Sequence, residues 1–70
     1  MTINFFKELN MRVFKIEEVV ANDRYDLQRR INGQWMYGSN LMYVKGSDIP
    51  KILKDGEKYG DEYRILTAQD

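Results

Sequence analysis

Along residues 12–20 apolar and polar positions alternate, with Phe14, Ile16 and Val20 on one side and Lys15 and Glu17 on the other. Period two is the signature of a half-buried strand, so a strand is expected here. The polar residues 21–24 supply a turn, and two further β-prone runs follow, joined by Asn32 and Gly33. Asn-Gly tolerates the positive φ of a type I′ turn, so it predicts a hairpin and fixes its register. Pairing outward sets Ile31 opposite Gln34, Arg30 opposite Trp35, Arg29 opposite Met36, Gln28 opposite Tyr37 and Leu27 opposite Gly38. One face then carries Tyr25, Leu27, Ile31 and Met36, with Arg29 among them, and reads as core. The other carries Asp26, Gln28, Arg30, Trp35 and Tyr37.

Beyond Gly38 the chain turns apolar again through Leu41, Met42, Tyr43 and Val44. A glycine inside a strand often marks a break, so an interrupted third strand is expected. This run is either an edge that a partner strand extends or, the preferred placement, an interior strand buried on both sides. Ser47, as cap, with Asp48, Ile49 and Pro50 gives the signature of a helix start. Ile49, Ile52 and Leu53 form its apolar stripe, and Gly56 lies on the same side, where a missing side chain lets the helix approach the sheet. The helix is expected to run to about Tyr59, with Gly60 as a left-handed stop. Residues 62–67 then form a closing strand on which Tyr63, Ile65 and Thr67 alternate with Arg64 and Leu66. A second hairpin over residues 58–63 is the alternative. Upstream, residues 2–10 carry Ile3, Phe6 and Leu9 at helical spacing, widened by Phe5, behind Thr2 or Asn4 as cap. So short a helix needs docking, which makes residues 1–10 an accessory helix or lid.

The pattern therefore predicts a single α+β domain over residues 1–70, a small antiparallel sheet of three to four strands with one packed helix, in the order short α, β, β, β, α, β. The layout is similar to that of small phage and plasmid proteins, a resemblance of architecture alone that carries no function.

Composition narrows the chemistry. A chain of 70 residues buries only about 60% of its unfolded surface, so its core is marginal without a staple. There is no cysteine for a disulfide or thiolate site and no histidine for zinc or for acid–base work near neutral pH. Pairing with another chain is then the remaining source of stability, as a homodimer or with a different protein. The absence of cysteine, of a membrane-length apolar run and of a signal-peptide pattern makes a cytoplasmic location the expectation. Basic and acidic residues number 11 each, so the chain is neutral overall. Residues 25–46 hold three basic side chains against one acidic, and residues 47–70 four against six, an uneven but small separation. Neutrality argues against a binder that works by phosphate neutralisation.

Carboxylates offer little to catalysis. Glu17 and Glu18 are adjacent on the expected strand and face opposite ways, and Asp55 with Glu57, like Asp61 with Glu62, falls at solvated ends and turns. None has calcium-loop spacing, and the glycines form no phosphate-cradling motif. No enzyme, cofactor, metal or small-molecule substrate is expected. Lys51, Lys54, Asp55 and Lys58 form the solvated face of the helix. What stands out is the second hairpin face. Trp35, Tyr37 and Arg30 are residue types that dominate binding hot spots, Arg30 sits across from Trp35 where it can stack, and Gln28 adds a polar contact at their edge. The bland alternative is that Phe5, Phe6 and Leu9 fold back over Trp35. The favoured reading is a non-enzymatic protein-binding module, an inhibitor or adaptor of the kind mobile genetic elements use against host proteins. Its alternatives are a nucleic-acid or nucleoprotein binder using the same face, or a homodimer for which that face is the interface.

Overall fold

Residues 12–68 are described by the computed structural model, and among them the chain forms the strands β1 (Val13–Phe14), β2 (Arg24–Ile31), β3 (Gln34–Tyr37), β4 (Val44–Lys45) and β5 (Tyr63–Thr67) and one helix, α1 (Ile49–Glu57). The order across the antiparallel sheet is β1-β5-β2-β3. β4 lies on the same edge of β2 as β3, because Tyr25 pairs with Val44 on one side and Thr67 on the other. The third strand is thus interrupted, as Gly38 suggests: a 3-10 turn, Ser39–Leu41, carries the chain off β2 before β4 rejoins it. This is the mixed α+β fold with one packed helix that the hydrophobic pattern predicts. The helix and lid expected over residues 1–10, including any cover of Trp35 by Phe5, Phe6 and Leu9, lie outside the described residues.

The hairpin has the register set by its turn chemistry. Asn32 and Gly33 adopt φ 52° and 80°, and the ladder runs Ile31↔Gln34, Arg30↔Trp35, Arg29↔Met36 and Gln28↔Tyr37. The helix α1 also stops as expected. Gly60 adopts φ 71°, its N–H bonds the carbonyl of Glu57, and the N–H of Asp61 reaches back to the carbonyl of Gly56, a Schellman closure that only glycine enters without strain. The start differs from expectation. Ser47 is held in a 3-10 turn, its N–H bonded to the carbonyl of Ala21, and the residue before the helix is Asp48, without a side-chain cap. Pro50 in the first turn removes one of the donors that a cap would otherwise serve.

Tyr25, Leu27, Leu41, Ile49 and Ile65 form the core, with Phe14, Val19, Val44, Ile52, Leu53 and Tyr63 packed around it. Gly56 faces the Tyr63 ring so closely that a Cβ there would overlap it, which is the close helix-to-sheet approach its position suggests.

Three expectations are corrected. The strand over residues 12–20 is only Val13–Phe14, followed by a 3-10 turn, Ile16–Glu18. There the Glu18 carboxylate accepts the N–H of Lys15 at 2.8 Å, and this local cap wins over extension of the strand. The run Leu41 to Val44 is not an interior strand: Leu41 is buried in its turn, whereas Met42 and Tyr43 are exposed. Finally, Ile31 and Met36 are not core but 41% and 46% exposed. Geometry explains this, since a nine-residue helix is about 13 Å long and the eight residues of β2 extend about 26 Å, so the helix covers the near half of the sheet only.

Candidate functional site

On the face turned away from α1, register places Asp26 beside Leu66, Gln28 between Tyr37 and Arg64, and Arg30 beside Trp35. The face divides along its length. Its near half is closed: Asp26 is 1%, Leu66 2% and Gln28 5% exposed. Leu66 therefore buries on the side opposite Ile65, and the irregular alternation of β5 reflects a strand apolar on both faces. The far half is open, with Tyr37 and Arg30 exposed and Trp35 half-buried.

Trp35 is flanked by two guanidinium groups. Arg30 from β2 lies 5.6 Å from its ring centroid, and Arg64 from β5 lies 4.9 Å away. Arg64 reaches across Gln28, whose Oε1 accepts its Nε–H at 2.7 Å. Gln28 is thus placed behind the site rather than at its edge: it orients Arg64 over the indole and presents little surface of its own. A guanidinium over an indole is worth about 0.5–1 kcal/mol where exposed and about 2 kcal/mol when a partner removes water. The ring supplies apolar area between strands, and the guanidinium groups supply positive charge beside it.

The charge separation along the sequence is largely closed across the strands. Arg29 lies 3.8 Å from Asp61, and Arg30 lies 3.8 Å from Glu62, whose backbone carbonyl also accepts the N–H of Arg30. These pairs are solvent-exposed and each contributes about 0–1 kcal/mol. Their effect is to leave the aromatic cluster with a thin positive rim.

Asp26 anchors the near end. Its Oδ1 accepts the N–H of Tyr43 at 2.7 Å and holds Tyr43 in the left-handed region at φ 56°, with its ring exposed and the Arg24 guanidinium 5.2 Å from the ring centroid. On the core side the Tyr25 hydroxyl accepts the N–H of Val20 at 2.9 Å.

The structure therefore brings Arg30, Trp35 and Tyr37 together on one surface and adds Arg64, which sequence reasoning left out. Alternation did place Arg64 off the core side of the last strand. The missing information was that β5 pairs with β2. Among the described residues, no group of acidic side chains is arranged to hold a metal ion, and no helix is long and apolar enough to cross a membrane. Compared with known protein families, curated proteins and solved structures, the chain gives no match.

Proposed function

We propose that this domain is a non-enzymatic binding module that captures another protein through the open half of the second sheet face, with Trp35 as anchor, Arg30 and Arg64 as its cationic flanks and Tyr37 at its side. The observation that carries the reading is the half-buried indole with two guanidinium groups within 5.6 Å of its ring centroid. Aromatic area on rigid strands loses little entropy on binding, and desolvation strengthens the cation–π contacts. The aromatic area with its thin positive rim favours a partner surface that offers an apolar recess with negative potential around it. Small size and the absence of histidine and cysteine fit an inhibitor or adaptor, of phage or mobile-element type, that acts inside the cytoplasm by covering a host protein's surface.

The test is capture from cell lysate by wild type, Trp35→Ala and Arg30→Ala in parallel, with circular dichroism to verify the fold of each. Wild type retains a protein that both variants release, with at least about a 30-fold loss for Trp35→Ala, the size of a hot-spot truncation. Undiminished capture by both variants overturns the reading. Salt separates it from nucleic-acid binding by the same face, because a phosphate-driven complex weakens steeply between low and physiological ionic strength and an aromatic-anchored one changes little.

A further inference from the structure

β3 ends the sheet, and among the described residues no strand pairs with its outer edge. The two edges of the sheet differ in how they are protected. β1, at the opposite end, is two residues long, too short to template another strand. β3 runs for four residues, Gln-Trp-Met-Tyr, with no charge, no proline and no bulge, and the hairpin around it exposes Ile31 and Met36 on one face and Tyr37 on the other. Among the described residues, neither charge, proline nor bulge along β3 keeps this edge from pairing.

The backbone groups on that edge are fixed by the turn. In a two-residue hairpin the closing pair, Ile31 and Gln34, is hydrogen-bonded, so the next pair, Arg30 and Trp35, is not. The N–H of Arg30 accordingly points to the carbonyl of Glu62 on the other side of β2. Trp35 and Tyr37 thus direct their N–H and C=O groups outward. We infer that the occupant of this edge is a second copy of the same chain, paired antiparallel about a twofold axis through Met36. Only an even register keeps each face of the sheet continuous across such an axis. Centring on Met36 sets Trp35 opposite Tyr37 of the partner subunit, as hydrogen-bonded pairs on both sides of the axis, and Gln34 opposite Gly38 of the partner subunit; Gly38 is already extended at φ −122°. The outward groups are satisfied, aromatic meets aromatic, and no like charges are brought face to face within the paired strands. Of the neighbouring even registers, the one centred on Trp35 draws in Gly33, committed to the turn at φ 80°, and the one centred on Tyr37 draws in Ser39, which lies in a 3-10 turn. The inference is independent of partner capture, since it rests on the strand edge and on Met36, whose side chain faces away from the Trp35 cluster. It joins two such clusters into one band on a continuous sheet.

A chain without cysteine makes a clean test. Met36→Cys places one thiol on the axis at a non-hydrogen-bonded pair, where Cα atoms lie about 4.5 Å apart, inside the range of about 4.4–6.8 Å that a disulfide spans. Gln34→Cys places its two thiols about 13 Å apart along the strands, out of reach. Mild oxidation of the full chain is expected to convert Met36→Cys to covalent dimer at least tenfold faster than Gln34→Cys, and wild type is expected to sediment with a dimer population that rises between about 1 and 100 μM, as befits a small interface. Met36→Lys, with unchanged circular dichroism, is expected to sediment as monomer throughout. Wild type that stays monomeric over this range, or equal cross-linking of the two cysteine variants, overturns the inference whatever the result of the capture experiment.

Discussion

Asp26 and Tyr43 show how single side chains hold this backbone in place. A tyrosine at φ 56° stands in a region that costs an ordinary residue about 1–2 kcal/mol, and the Asp26 carboxylate stabilises it by accepting its N–H. Asp26→Ala is expected to cost at least about 2 kcal/mol in urea unfolding, the scale of a hydrogen bond to a charged group, and to accelerate hydrogen exchange at the Tyr43 amide. Glu18 makes a second such contact in the open. Its hydrogen bond from the Lys15 N–H holds its pKa below the ordinary 4.5, with Arg12 nearby adding to the effect. A carboxyl with a lowered pKa in the folded state contributes stability that is full above its unfolded value and fades as pH falls through its folded value. A carbon-detected titration is therefore expected to show Glu18 ionising below pH 4.5, and Glu18→Gln to remove that small acid-sensitive contribution.

At the scale of elements, local chemistry was legible and remote pairing was not. The hairpin register and the stop at Gly60 followed from residues that only a few backbone conformations suit. Ile16 and Val20 misled because alternation is read over the whole segment, whereas one glutamate bonding its own backbone bends the chain after two residues. Arg64 was missed as part of the candidate site because strand order is decided by which faces the packed core leaves available, and β5 meets β2 across more than thirty residues of sequence. The helix–sheet contact yields a prediction of its own. Alanine in place of Gly56 gains about 1 kcal/mol of helix propensity but meets the Tyr63 ring, and overpacking of this kind costs about 1–3 kcal/mol. Gly56→Ala is expected to lose about 1 kcal/mol net, and Tyr63→Leu in the same chain to return most of the overpacking cost, as a double-mutant cycle by chemical denaturation measures.

For the molecule as a whole the margin is narrow. A core of this size supplies about 3–5 kcal/mol, and Ile49, fully buried under the sheet, is one of few residues that pin α1 to it. Ile49→Ala is expected to cost about 2–5 kcal/mol, enough to leave the chain largely unfolded at 25 °C, seen as loss of the cooperative thermal transition. The inferred pairing of chains along β3 would add a second contribution, so the wild-type melting temperature is expected to rise with protein concentration, and that of Met36→Lys to stay constant.

Trp35 is also the only tryptophan in the chain. Excited at the red edge, where tyrosine does not absorb, the folded protein emits from one indole beside two guanidinium groups, without overlap from any other. Whatever displaces Arg30 or Arg64 from that ring, or shields it from water, changes the intensity or wavelength of the signal, so the proposed contact surface reports its own occupancy with no label attached.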